Sequence, residues 1–397
     1  MSFHVRVATA ADHPQILRLI RHAFTTDLAQ TFDDDRPTVP DERRLVAEAG
    51  GRVVGHVGVW PLGHWLGGRR VATGGVSAVV IDPAWRGRGV GTCLLTDALS
   101  AMRERGEVLA TLFPLTRAVY RRLGWEIAGE RPEWRLATDA LAALPASDDV
   151  ELVPGGDGDV DAMHDLETRV APASQGMLDR PAEFARRALE PGEGHAIYLA
   201  HRDGDLVGYV IYAHASSSAP DELFTLRVRE LVAADGAAEL ALWRLLGSHA
   251  SGARTVSAVG PPAPLLELFL PERALQPAPA AWRWMTRVVD LRGVVEQRGW
   301  PGGVQVAIDL DVTDPLPATA AATAGRWRLE VVDGQATLTP GGDGRVRLDV
   351  GAAASLLTGW ASPRTLAHAG RLHGPVSDLD GLQVELAGPT PWVRDFF

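Results

Sequence analysis

The stretch Val79-Val80-Ile81-Asp82-Pro83-Ala84-Trp85-Arg86-Gly87-Arg88-Gly89-Val90-Gly91-Thr92 decides how this chain is read. It ends an apolar strand, turns through Arg and Gly, and opens a helix expected to run to about residue 105. Backbone N–H groups at a helix N-terminus lack intrahelical partners and sit at the positive end of the helix dipole. Gly87, Gly89 and Gly91 carry no side chain, so phosphate oxygens can approach that backbone closely. Arg86 and Arg88 add positive charge. A turn so composed is built for a pyrophosphate, while Asp82 before Pro83 is read as shaping the turn. Two familiar nucleotide turns do not fit. The dinucleotide fingerprint follows the first strand of its unit, with an acidic residue about 20 positions on. Here the turn follows the fourth strand and is led by Arg. A P-loop requires a Lys.

This chain has no Lys. All 39 basic residues are Arg, and Asn is absent as well. Both amino acids need A-rich codons, so the composition points to a GC-rich bacterial gene. Without Lys there is no Schiff-base chemistry and no lysine-anchored pyridoxal cofactor. Without Asn there is no N-glycosylation site. Cys93 is the single cysteine, which excludes an intramolecular disulfide and a Cys-rich metal site. It lies in the first turn of the glycine-led helix and is expected to pack inside. The His residues are scattered without ligand spacing, so no metal is expected. Residues 1–24 are amphipathic with Arg18 and Arg21 among them, unlike a signal peptide. No apolar run reaches the roughly 18 residues of a membrane span. A cytoplasmic protein is expected.

At 397 residues, with 46% hydrophobic and 22% charged residues, the chain is an ordinary globular sequence too long for one core. Its net charge of −11 is uneven: residues 1–148 hold 18 Arg against 17 acids, and the rest is strongly acidic. That argues against nucleic acid as a partner and slightly favours cationic ligands.

Three segments follow. Residues 1–148 alternate strands and helices. A strand spans 4–8, and a helix capped by Asp12 buries Ile16, Leu17, Ile20, Ala23 and Phe24. A hairpin turns at Gly50-Gly51. Strands cover 71–81 and 108–113, a short helix covers 116–123, and 124–136 returns to strand. Residues 149–285 repeat the plan, which suggests a duplication. Their turn reads Ala234-Asp235-Gly236-Ala237, with one glycine and no basic residue. Residues 286–397 differ in kind. They contain alternating strands, a hairpin at Asp333-Gly334, and a tail, Trp392-Val393-Arg394-Asp395-Phe396-Phe397, too aromatic for a solvated end.

Strand, Asp-Pro, Arg-Gly-Arg-Gly-Val-Gly, helix: this order resembles the coenzyme A motif of the GCN5-related N-acetyltransferases (GNAT). Tyr120-Arg121-Arg122-Leu123-Gly124-Trp125 resembles the family's downstream element. Over its full length the chain resembles the Eis (enhanced intracellular survival) branch. That resemblance implies an α/β (α+β) architecture of three parts: a catalytic GNAT domain at 1–148, a degenerate GNAT-like domain at 149–285, and a sterol-carrier-protein-like domain at 286–397. It implies acetyl-CoA as co-substrate and direct acetyl transfer to an amine, on an aminoglycoside or a protein lysine, by a homohexamer. By the same resemblance Tyr120 is the general acid and the Phe397 carboxylate the base. The backbone of Val79, Val80 and Ile81 holds the pantetheine arm, Gly87, Arg88, Gly89, Val90, Gly91 and Thr92 hold the pyrophosphate, and Leu115 and Thr116 lie on the arm's far side. The strand before the turn offers only Ser77 and Asp82 where some GNAT enzymes place a Glu base, so a base from elsewhere is needed. Phe24, Asp27 and Phe32 are acceptor-side candidates. His56 and His64 are alternative bases, although a lone His in a strand or loop is more often structural. Two other functions stay open: a single-metabolite acyltransferase of the mycothiol-synthase type, and a non-catalytic lipid-binding protein. The degraded second turn and the third segment count against the first. The intact Arg-Gly turn beside Tyr120 counts against the second.

Overall fold

The computed structural model describes residues 2–24, 39–190, 192, 194–217, 221–279, 282–303 and 305–397. The chain divides into two compact units. One comprises Met1–Gly129, Arg283–Pro391 and Phe396–Phe397, the other Glu130–Trp282 and Trp392–Asp395.

In the first unit, one sheet runs in the order His4–Val7, Arg44–Ala49, Arg52–Leu66, Arg69–Ile81, Leu109–Leu112, Trp282–Val288, Glu126–Arg131. The Gly50-Gly51 hairpin forms as expected, both residues at positive φ, which suits the right-handed twist of the paired strands. The helix Val90–Glu104 buries Val90, Leu94, Leu95, Ala98, Leu99 and Met102 against this sheet. Cys93 lies off that stripe and is exposed, contrary to expectation. The first helix, His13–Phe24, also turns differently: Ile16 and Leu19 are buried, while Phe24 is 49% exposed. Asp12 does not cap it by itself. It accepts a bidentate pair from Arg6 at 2.7 and 2.9 Å and a bond from the Thr9 N–H at 2.8 Å.

The unit's second sheet runs Gln335–Pro340, Gly325–Val332, Val306–Thr313, Val346–Asp349, Leu372–His373. Its apolar face shares one core with Leu66, Val71, Val108 and Leu109. Within that core a void of about 20 Å³, lined only by apolar side chains, lies beside Trp300 and Leu357. That is room for about one water, and apolar walls keep such a space dry.

The second unit's sheet runs Leu275–Pro277, Glu133–Ala137, Thr255–Val259, Thr225–Ala233, Asp205–Ala215, His195–Arg202, Glu151–Pro154. With the helix Gly236–Gly247 it repeats the strand and helix order of residues 1–128. Sheet membership departs from chain order in two places. The strand expected over 124–136 breaks at Pro132, which has no N–H to give a ladder, and Glu133–Ala137 belongs to the second unit's sheet. Reciprocally, Trp282–Val288 pairs with Leu109–Leu112 in the first unit's sheet.

Candidate acetyl-transfer site

The site begins with a parallel pair that stops early. Arg69–Ile81 and Leu109–Leu112 are in register only at Thr73↔Leu109, Gly74↔Ala110 and Gly75↔Thr111. From Val76 onward the edge of Arg69–Ile81 has no ladder partner on that side among the described residues. A strand edge with unpaired N–H and C=O groups can accept an extended ligand arm as a further strand. Val79, Val80 and Ile81 lie on this segment.

A bulge precedes them. Ala78 has φ 48°, the left-handed region that a non-glycine residue seldom enters, and the register with Arg52–Leu66 shifts between His56 and Gly58. The His56 Nδ1–H donates to the Ala78 carbonyl at 3.0 Å. His56 is buried, and burial pushes its pKa from 6.5 down to about 4, against the smaller opposing effect of that hydrogen bond. His56 therefore braces the bulge as a neutral ring. The unfolded chain takes up its proton near 6.5 and the folded chain only near 4, so its contribution is complete above pH 6.5 and falls as pH drops toward 4. We expect about 3 kcal/mol to be lost across that window. Urea unfolding of wild type and His56→Gln from pH 7 to 4 checks this: the gap between the two must narrow with acid, and parallel curves would show that His56 does not titrate there. His64 is also structural, its buried ring stacked on Trp284 at 4.8 Å.

The turn that follows has the geometry read from its residues. Asp82 accepts a bond from the Ala84 N–H at 2.9 Å. Gly87 and Gly89 sit at φ 73° and 82°. Gly89 is the N-cap of Val90–Glu104 and brings no side chain to that helix end, so the first N–H groups of the helix have no side-chain cap from it. Arg88 lies over the Trp85 ring at 5.3 Å. Arg86, Gly87, Arg88, Gly89 and Thr92 are exposed, a surface open to an anion.

At the fork between the strands stands the end of the chain. A Cβ built on Gly75, the last paired residue, would lie 3.3 Å from Cε2 of Phe397. Phe113, just past Leu109–Leu112, stacks on Phe396 at 4.6 Å and meets Phe397 edge-on at 5.6 Å. Leu115 and Thr116 follow, both exposed, and open the short helix Arg117–Arg121 that carries Tyr120. The Tyr120 ring packs edge-on against Trp125 at 6.0 Å, and burial raises its pKa above 10.0. Its hydroxyl makes no hydrogen bond to a described residue and stays protonated through the neutral range. Asp27 and Phe32 lie outside the described residues. Among those described, no group of His, Cys, Asp or Glu could hold a metal ion, and no helix is long and apolar enough to cross a membrane.

Three family matches run along the chain: an acetyltransferase (GNAT) domain over residues 4–128, a second over 176–288, and a sterol carrier protein domain over 291–394. An N-acetyltransferase of Streptomyces griseus is 29% identical over 84% of this chain and 83% of its own length. The N-acetyltransferase Eis of Mycobacterium tuberculosis is 27% identical over 94% and 93%. A crystal structure of a GCN5-related N-acetyltransferase from Anabaena variabilis covers 100% of both chains with a TM-score of 0.90 and 27% identity. This chain is an N-acetyltransferase with two GNAT domains, similar to Eis along its length. GNAT domains take acetyl-CoA as co-substrate, and the uncapped turn at Gly87–Thr92 with the open edge at Val79–Ile81 fits that ligand's pyrophosphate and arm.

The second GNAT domain of this Eis-like chain differs from the first at this turn. At the matching helix, Asp235 is the N-cap and accepts a bond from the Ala238 N–H at 3.0 Å. Its carboxylate is further held by Arg202. A fixed carboxylate occupies the place where the first domain leaves bare N–H groups, and it repels a pyrophosphate.

Sequence reasoning missed what secures the tail. In the second unit, the Trp392 and Val393 N–H groups donate to the carbonyls of Gln175 and Glu130 at 2.9 and 3.0 Å. Arg394 pairs with Glu167 at 2.6 Å and Glu230 at 2.8 Å, and Arg180 pairs with Asp395 at 2.8 Å. All five side chains are buried. Burial raises the Glu230 carboxyl and opposes ionisation of Glu167, yet Arg180 and Arg394 hold Glu167 down at about 2. The only sequence signal was Arg394-Asp395 set inside an aromatic end.

Proposed function

We propose that this enzyme transfers acetyl from acetyl-CoA directly to a primary amine, with the Phe397 carboxylate as base and Tyr120 as acid. The catalytic part is the first domain, residues 1–148, followed by the degenerate domain 149–285 and the sterol-carrier-like part 286–397. The observation that carries the reading is the Phe397 ring against Gly75, where the two strands part.

In this mechanism the amine nitrogen attacks the thioester carbonyl, the C–S bond breaks, and acetyl moves to nitrogen. The amine gives up one proton and the leaving thiolate takes one. A C-terminal carboxylate, ionised above about pH 3.5, receives or stabilises the first through water. The protonated Tyr120 hydroxyl supplies the second. Val79, Val80 and Ile81 hold the pantetheine arm, with Leu115 and Thr116 across from it. Family resemblance assigns Phe24 and Asp27 to acceptor binding. Family resemblance further supports a homohexamer in the cytoplasm and an acceptor such as an aminoglycoside or a lysine side chain.

The test is a panel of amines, including an aminoglycoside and a lysine peptide, assayed for free thiol release from acetyl-CoA. Several amines should be acetylated, whereas turnover confined to one metabolite favours the single-substrate alternative. Deleting Phe397 shifts the terminal carboxylate by up to about 3.5 Å and is expected to lower kcat about a hundredfold. Unchanged kcat in that variant removes the carboxylate from the mechanism.

A further inference from the structure

The second unit contains a cavity with a chemistry of its own. Thr225–Ala233 and Thr255–Val259 are parallel and in register only at Leu226↔Val256 and Arg227↔Ser257. A cavity of about 440 Å³ is lined by Arg227, Arg229 and Ser257 with Arg131, Glu133 and His195, the remaining walls being small apolar residues. Its volume lies in the range of small-molecule sites, about 300–1,000 Å³.

The wall is cationic in a chain that is acidic overall. Its described lining holds three guanidinium groups and one carboxylate. Glu133 and the acids near the tail offset Arg131, whose Nε–H donates to the Arg394 carbonyl at 2.8 Å. Among the described residues Arg229 is hydrogen-bonded only to neutral groups: it donates to the carbonyls of Glu190 at 3.0 Å and Arg187 at 2.6 Å. The neighbouring Glu230 carboxylate is taken by Arg180 and Arg394. Arg227 is exposed and makes no ion pair with a described residue. Burial lowers the pKa of Arg131 and Arg229, whereas the carboxylate-paired Arg180 and Arg394 are raised despite deeper burial. A guanidinium withdrawn from water without a counter-charge is costly, and an oxyanion is the partner its fork of N–H donors fits. A pyrophosphate has no seat at the adjoining helix, because Asp235 fills that helix end.

We propose that this cavity binds a small oxyanion-bearing ligand, a carboxylate or a phosphate, through Arg227 and Arg229. The inference does not depend on the acetyl-transfer reading. It is tested by calorimetric titration of the full chain at fixed ionic strength with two probes, succinate and inorganic phosphate. At least one should bind saturably, and which of them binds more tightly identifies the oxyanion. Arg227→Ala changes an exposed side chain and leaves folding intact. Losing one charged hydrogen-bond donor should weaken that binding about ten- to a hundredfold. Arg229→Gln should weaken it as well, with circular dichroism confirming the fold. Arg88→Ala, at the glycine turn of the other unit, should leave it unchanged. The proposal fails if neither probe binds at millimolar concentration, or if binding survives Arg227→Ala and is lost in Arg88→Ala.

Discussion

Tyr120→Phe is expected to lower kcat about a hundred- to ten-thousandfold, the usual worth of a positioned general acid, while acetyl-CoA affinity stays within a factor of two or so. The substitution removes one oxygen and keeps the ring, so the edge-on contact with Trp125 at 6.0 Å is retained. The oxygen it removes has no partner among the described residues, so no structural bond is lost with it. The Arg-Gly turn at Gly87–Thr92, which we propose holds the pyrophosphate, owes nothing to Tyr120, which is why binding should be spared. Burial raises the pKa of Tyr120, so the hydroxyl remains a donor until a thiolate forms beside it. Steady-state kinetics with a separate acetyl-CoA titration decide the matter. Wild-type kcat in the Phe variant removes Tyr120 from proton transfer, and a parallel loss of acetyl-CoA affinity reassigns it to binding.

Asp314→Ala is expected to cost about 3–5 kcal/mol of stability, because it strands a buried guanidinium. Arg287 lies at 0% exposure on Trp282–Val288. Its Nη2 donates to both Asp314 oxygens at 2.6 and 2.7 Å and to the Thr319 hydroxyl at 2.7 Å. Its Nε donates to the Leu123 carbonyl at 2.7 Å, just beyond the helix that carries Tyr120. Burial lowers the Arg287 pKa against the pull of Asp314. Burial also opposes ionisation of Asp314, but Arg287 outweighs it and holds the carboxyl below its usual range. Removing the carboxylate leaves the cation buried without a counter-charge. The double change Arg287→Met with Asp314→Leu, which removes both charges and keeps the volume, should recover most of the loss. Urea unfolding of the three proteins measures this. Equal stability of Asp314→Ala and wild type would mean that water or another group takes over the guanidinium.

What was legible in the sequence was local. Gly50-Gly51 and Gly87-Arg88-Gly89 adopt positive φ at their glycines, where only glycine is unstrained, so composition alone announces a hairpin and an open turn. The second turn was legible as poorer in glycine and without a basic residue, whereas the cap by Asp235 is seen only in the structure. Helix faces were less secure. Both sides of residues 13–24 and of 90–104 carry apolar side chains, and the choice that exposes Phe24 and Cys93 depends on which neighbours pack there. Charged residues were least legible. Arg is an exposed residue by habit, so Arg180, Arg287 and Arg394 read as surface until the carboxylates that neutralise them are seen.

The sequence by itself determined that a strand, an Arg-Gly turn and an uncapped helix stand in that order, because a few neighbouring residues settle backbone dihedrals and N–H exposure. It determined the repeat of that plan, the loss of the turn in the second copy, and the absence of lysine chemistry. Tertiary structure decided which strands share a sheet. Glu133–Ala137 and Trp282–Val288 have strand patterns that favour no particular partner, since alternation specifies a face but not a neighbour. It decided where the aromatic end lies: Phe397 comes to rest on Gly75, more than 300 positions away in the chain. Packing between distant residues depends on shape and on paired charges, and neither is written in the order of the residues.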